Sequence, residues 1–172
     1  GYRRGVNSFF ERHQTKLIGA MILAGAIALI WLDEQKHRAT VGAAAPDVTF
    51  QMLDGSPDVA LASLKGKPVV LDFWATWCPP CRASLPHIAE LSKKYEGRAH
   101  VIAVNAENES SALQKRTLEQ LRVNMPVATN GAAAAAAYKV EGLPTTVVLD
   151  SEGKVVESFT GAVAVSRIER VL

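Results

Sequence analysis

The stretch Val69-Val70-Leu71-Asp72-Phe73-Trp74-Ala75-Thr76-Trp77-Cys78-Pro79-Pro80-Cys81 decides how this chain is to be read. Its first seven residues form a near-continuous apolar run, the pattern of a central strand buried on both faces, broken only by Asp72. After the second cysteine the spacing changes: Leu85, Ile88, Leu91 and Tyr95 recur at helical intervals, with Pro86 expected to kink the helix. The W-C-P-P-C segment therefore sits at a strand-to-helix junction. It also holds the only two cysteines in 172 residues. Two thiols three positions apart at such a junction point to redox exchange.

Composition narrows the alternatives. Two cysteines cannot staple a disulfide scaffold, and a single C-x-x-C supplies half of a four-ligand zinc site. The four histidines, His13, His37, His87 and His100, show no ligand spacing, so no metal site is expected. Residues 1–38 carry six Lys/Arg against three Asp/Glu, and residues 39–172 carry thirteen against fourteen. The main domain is thus near neutral, without the basic stripe that a nucleic-acid partner requires.

Upstream, residues 17–32 form an apolar run of 16 without charge or proline. As a helix it covers roughly 24 Å at about 1.5 Å per residue, somewhat short of a hydrocarbon core of about 30 Å. Lys16 can snorkel at one end and Trp31 suits the interface at the other. The expectation is a single transmembrane helix over residues 17–32, after a cytoplasmic arm (1–16) and before a linker (33–45). A cleaved signal peptide is the rival, but the polar Asp33 to Arg38 run follows where a small-residue cleavage site should stand. Arg3, Arg4, Arg12 and Lys16 outnumber Lys36 and Arg38, which places the thiol domain outside the cytoplasm, in a periplasm or its equivalent. Ala20, Ala24 and Ala28 form a small-residue stripe against which a membrane partner could pack.

Downstream of the linker, Val48 to Leu53 reads as a first strand, Asp54-Gly55 as a turn, Val59 to Leu61 as a second short strand and Ser63 to Gly66 as a helical turn. Past the cysteine helix come a buried strand at Val101 to Val104 and a helix from Glu107 to about Val123 with Leu113, Leu118 and Leu121 as core contacts. A packed alanine helix follows at Ala132 to Ala137, then a strand entered through Pro144. Ser151 to Lys154 turns the chain into Val155 to Phe159, and Val163 to Leu172 has a weak helical pattern. Strands alternate with helices first and form a hairpin last, which implies an α/β domain with a mixed sheet and helices on both faces.

Asp72-Phe73-Trp74-Ala75-x-Trp77-Cys78-x-Pro80-Cys81, with Gly142-Leu143-Pro144-Thr145 about sixty residues later, resembles thioredoxin. The V-G-x-x-A-P-D entry (Val41 to Asp47), L-K-G-K-P-V-V-L (Leu64 to Leu71), W-C-P-P-C-R and L-P-T-T look like the TlpA/ResA group of membrane-anchored thioredoxin-like proteins. The resemblance runs from about Val41 to the C-terminus, with residues 107–130 as the insertion typical of that group. It implies a thioredoxin-like fold over residues 46–172 and thiol-disulfide exchange outside the cytoplasm. Its partners would be protein disulfides, including those of apocytochromes c, and a membrane-embedded thiol donor. No cofactor is expected beyond the Cys78–Cys81 pair.

Within that frame Cys78 is expected to be the exposed attacking thiol, favoured as thiolate by the helix N-terminus, and Cys81 the resolving thiol. Pro79 and Pro80 would stiffen the loop. Asp72 stands where thioredoxin has its buried acid, and a raised pKa would let it take the proton of Cys81. Pro144 is expected to be cis and, with Leu143, to meet the substrate; Trp77 would cover the thiols and Trp74 pack below them. The group's frequent glutamate three residues after the second cysteine is here Ser84, which leaves Asp72 as the proton carrier or points to a different substrate. The competing functions are an accessory subunit of a larger membrane assembly and, more remotely, copper delivery, which lacks a third ligand, or a peroxidase, which lacks the P-x-x-x-T-x-x-C pattern.

Overall fold

The computed structural model describes residues 21–25 and 41–172. Backbone contacts divide the chain into Gly1–His37 and Arg38–Leu172. In the first unit residues 21–25 are helical, with Met21, Ile22 and Leu23 exposed. The transmembrane reading of residues 17–32 otherwise falls outside the described residues. Among the described residues no helix is long and apolar enough to cross a membrane.

In the second unit the elements run β1 (Thr49–Phe50), β2 (Val59–Ala60), a 3-10 turn (Leu61–Leu64), β3 (Val69–Trp74), α1 (Pro79–Lys94), β4 (His100–Asn105), α2 (Ser111–Leu121), β5 (Val127–Ala128), α3 (Gly131–Ala137), β6 (Thr145–Leu149), β7 (Val155–Thr160) and α4 (Val165–Glu169). The main sheet has the order β5-β4-β3-β6-β7, and β1 and β2 form a separate antiparallel pair. Strands β3, β4 and β5 are parallel, while β6 and β7 run antiparallel to β3 and to each other respectively. This is the mixed sheet expected from the order of elements, in a thioredoxin-like arrangement.

Strand β3 is central and wholly buried. Its period of two sorts the side chains between the sheet's faces. Val69, Leu71 and Phe73 join a cluster with Phe50, Ile102, Tyr138, Val147 and Leu149, covered by α3. Val70 packs with Ile88 and Leu91 of α1 and Ile168 of α4. Trp74 packs with Cys78, Cys81, Leu85 and Leu118, which brings α1 and α2 to that same face. Asp72 lies between Val70 and Trp74 in this alternation, and so faces α1, the helix of the cysteines.

Local chemistry accounts for several boundaries. Helix α1 continues through Pro86 without a break. Helix α2 starts later than the sequence suggests, because Ser110 accepts the Leu113 N–H at 3.3 Å and so caps a helix beginning at Ser111. That start sets the phase: Gln114, Thr117 and Leu118 turn inward, while Leu113, expected in the core, is 47% exposed. The residues of β5, inside the segment read as an insertion, extend the main sheet by pairing with Ala103 and Val104. Gly42 to Ala45, read as the end of the linker, pair with the start of β7 through Gly42 N–H to Val155 O at 2.7 Å and Val155 N–H to Ala43 O at 2.9 Å. At the start of α3, a Cβ on Gly131 would lie 2.2 Å from the Asn105 carbonyl oxygen, so only glycine lets this helix approach β4 so closely.

Candidate active site

The end of β3 delivers the site. Trp74 is the last strand residue and its carbonyl accepts the Ala106 N–H at 2.8 Å. The chain then turns, Cys78 N–H donating to Ala75 O at 3.2 Å, and α1 begins with Cys78 as its N-cap. Pro79 and Pro80 occupy the first two helical positions, where the missing N–H groups would be orphans in any case. The first amide available to the sulfur is therefore that of Cys81, which donates to Cys78 Sγ at 3.3 Å.

Cys78 and Cys81 form a disulfide with the sulfurs 2.05 Å apart. One expectation is corrected here: Cys78 is not exposed but 2% accessible in this oxidised form, packed with Trp74, Ala75 and Leu85. The apolar cluster that closes beneath the loop takes in both sulfurs. Exposure around the pair comes instead from Trp77, 61% accessible, and from Pro79 and Pro80. Trp74 is fully buried beneath the sulfurs.

Asp72 is buried on the α1 face. Across the sheet it pairs with Thr146 of β6, whose Oγ1 donates to Asp72 Oδ1 at 2.8 Å; Oδ2 has no hydrogen-bond partner. Burial pushes this carboxyl up from about 3.8 to about 7, and the single hydrogen bond from Thr146 offsets only part of that. Near neutral pH the group can therefore both hold and release a proton.

The Leu143–Pro144 peptide is cis, as the sequence leads one to expect. Pro144 is buried, with its carbonyl accepting the Gly161 N–H at 2.8 Å, and Thr145 Oγ1 donates to Gly142 O at 2.7 Å. Leu143, half-buried, packs against the cluster that holds both sulfurs. Ser84 donates to the Cys81 carbonyl at 3.1 Å, a bond within the helix that leaves no titratable group at its position. Among the described residues no group of His, Cys, Asp and Glu could hold a metal ion.

One participant was missed from the sequence. Glu109, placed there inside a helix, stands in the loop before α2 and turns its carboxylate toward the segment that precedes Cys78. Its Oε2 accepts the Thr76 N–H at 3.0 Å, its Oε1 the Thr76 hydroxyl and its Oε2 also the Asn105 side-chain amide. The signal that could have found it is the Ser110-Ser111 pair, an N-cap pattern that starts the helix only after Glu109 and leaves that residue in the preceding loop, free to point elsewhere.

Comparison with known proteins agrees with this geometry. Residues 40–172 match the family model described as Redoxin. The chain is 33% identical over 162 residues to the thiol-disulfide oxidoreductase ResA of Bacillus cereus, covering 91% of this chain and 92% of that protein. Among solved structures it is similar to one described as a thiol:disulfide interchange protein DsbE from Chlorobium tepidum, with 31% identity and a TM-score of 0.68 over 76% of this chain and 94% of that one. It is also similar to the exposed lipoprotein thioredoxin Etrx1 of Streptococcus pneumoniae, with 31% identity and a TM-score of 0.65 over 73% and 96%.

Proposed function

Because this chain belongs to the Redoxin family and is a thiol-disulfide oxidoreductase of the ResA kind with Cys78–Cys81 as its redox pair, we propose that it is anchored in the cytoplasmic membrane by residues 17–32 and reduces protein disulfides on the extracytoplasmic side. The observation that carries the catalytic part is the placement of the pair at the N-terminus of α1 on the sheet face that also holds a buried carboxyl of raised pKa. The anchor and the location rest on the apolar run, the excess of Lys/Arg before it and the similarity to ResA. That similarity spans more of the chain than residues 40–172 alone could supply.

In the reduced enzyme Cys78 is the attacking thiolate. Its sulfur bonds to one sulfur of a substrate disulfide while the substrate's S–S bond breaks, and the departing substrate thiolate takes up a proton. Cys81 then loses its proton to the Asp72 carboxylate and attacks Cys78 Sγ, which breaks the mixed disulfide and releases the second substrate thiolate, itself protonated in turn. The substrate gains two electrons and two protons, and the enzyme is left with the Cys78–Cys81 disulfide. A membrane-embedded dithiol donor restores it. Trp77, Pro79 and Pro80, exposed beside the pair, would meet the substrate together with Leu143, which packs against the cluster of both sulfurs, while the buried cis Pro144 would set the course of the backbone that carries Leu143. Oxidised cysteine pairs in apocytochromes c, or clients of a related reductive pathway, are the substrate class.

Trapping tests this reading. Cys81→Ala in the full chain should accumulate mixed disulfides through Cys78 with an extracytoplasmic protein, and Cys78→Ala should not. Accumulation through Cys81 instead would overturn the assignment of roles. A redox potential in the range of strong oxidants, nearer about −120 than about −270 mV, would overturn the direction of transfer.

A further inference from the structure

Thr76 is buried two residues before the attacking thiol, beyond the last residue of β3, so the sheet offers its N–H no partner. A side chain from another element provides one. The Glu109 carboxylate accepts both the Thr76 N–H and the Thr76 hydroxyl, and its Oε2 is shared with Asn105 Nδ2 at the end of β4. Arg82, one position past the second cysteine, donates from Nη1 to the Thr76 carbonyl at 3.3 Å. Glu109 is itself held: its carbonyl accepts Gln114 Nε2 at 2.9 Å from a fully buried side chain of α2, and Glu107 N–H donates to Asn105 Oδ1 at 3.2 Å.

We propose that Glu109 is a positioning residue for the exchange reaction, clamping Thr76 so that Cys78 is presented in line with the start of α1. This assignment rests on Cys78 as the attacking thiol. With prolines at the first two helical positions, a single amide, that of Cys81, reaches Cys78 Sγ. A thiolate stabilised by one N–H is sensitive to where its backbone lies, because hydrogen bonds weaken steeply with misalignment. Removing Glu109 also leaves the Thr76 N–H and hydroxyl buried without acceptors, and the loop relieves that loss by shifting toward water. A glutamine can reproduce the whole arrangement: its carbonyl accepts from Thr76 N–H and Asn105, and its amide donates to the Thr76 hydroxyl, which turns to accept.

Two substitutions therefore separate geometry from charge. Glu109→Gln and Glu109→Ala both remove one negative charge near the thiol and leave Asp72 below and Arg82 beside it untouched, so any difference between them reports the clamp. In the full chain with Cys81→Ala, the pH midpoint of Cys78 alkylation by iodoacetamide should lie about half a pH unit or more higher in Glu109→Ala than in Glu109→Gln. The rate of exchange with a small disulfide at pH 7 should be lower by at least about threefold. Equal midpoints and equal rates in the two variants overturn the proposal, whatever their melting temperatures. Should Glu109→Ala fail to fold, Thr76→Val removes only the hydroxyl bond and should move the midpoint up by a smaller amount; a profile identical to that of the parent overturns the clamp. Peptide mapping of label on the reduced parent keeps the two readings apart, since faster labelling of Cys81 refutes the role of Cys78 without bearing on the comparison of the two Glu109 variants.

Discussion

Replacing Asp72 by asparagine should make the protein more stable and a poorer catalyst, with the pH dependence showing why. In the folded state burial holds the carboxyl at about 7, against about 3.8 in the unfolded chain. A raised folded pKa means that the folded state binds the proton more tightly. The stability this confers is complete below about pH 3.8, is lost as pH rises toward 7, and is gone above it. The gap between the two values is worth about 4 kcal/mol, an order-of-magnitude figure that the parent lacks at pH 8 and holds at pH 4. Asparagine carries no charge at either pH and its carbonyl oxygen can still accept from Thr146 Oγ1. Urea unfolding of the oxidised parent and of Asp72→Asn between pH 4 and 8.5 should give a stability difference that grows with pH in favour of the variant, by up to ~4 kcal/mol, and levels off above about pH 7. Every other titrating group is common to both proteins and cancels in the difference. A difference that stays flat across that range would refute the raised pKa and with it the proton-acceptor role. In turnover, the variant should lose the inflection near pH 7 and accumulate the mixed disulfide, because Cys81 no longer has a carboxylate to take its proton.

Thr146→Val deletes the one hydrogen bond that favours the ionised form of Asp72, so the pH midpoint for resolution should move up, read from the release of mixed disulfide against pH; a downward shift contradicts the assigned bond. Gly131→Ala places a methyl against the Asn105 carbonyl and Val104 and should destabilise by about 1–3 kcal/mol by denaturant unfolding, since α3 must back away from the sheet. Leu118→Ala should cost about 2–4 kcal/mol, because Leu118 packs with Trp74 and both cysteines, while Leu113→Ala, exposed on the same helix, should change stability by less than about 0.5 kcal/mol. Similar losses for the two leucines would mean that α2 is in a different phase.

What could be read in advance follows from how locally each feature is determined. The β3–α1 junction was legible because its signals are close together: a doubly buried strand announces itself by an unbroken apolar run, and the change of period after Cys81 places the cysteines at a helix start. Asp72 stood out as the one group that an apolar strand has to accommodate, and the resemblance to thioredoxin placed it beside the cysteines. The phase of α2 was not legible, since a helix of this length rotates its faces with its first residue, and Ser110 rather than the apolar spacing decides where it begins. The burial of Cys78 was hidden for a related reason. A helix N-terminus suggests an exposed thiol, whereas the seal beneath it is made by Trp74, Leu85 and Leu118, which come from three elements that the sequence does not order in space.

Glu109 shows what such a reading lacks. Its neighbours in sequence are polar and exposed, and nothing local marks it from Glu107, which is solvent-exposed two residues earlier. The difference arises in three dimensions: β4 runs parallel to β3, so the loops after both strands emerge at the same edge of the sheet. A parallel pair necessarily brings the segment after β4 beside the segment after β3, and an acid placed there can serve amides that the end of β3 leaves unpaired. The chemistry of the site is therefore written in one stretch, and its alignment in another that only the topology brings within hydrogen-bonding distance. Of the side chains around the pair, the carboxylate of Glu109 is the one whose replacement by glutamine and by alanine should part company, and that divergence follows from the parallel register of β3 and β4 rather than from any motif.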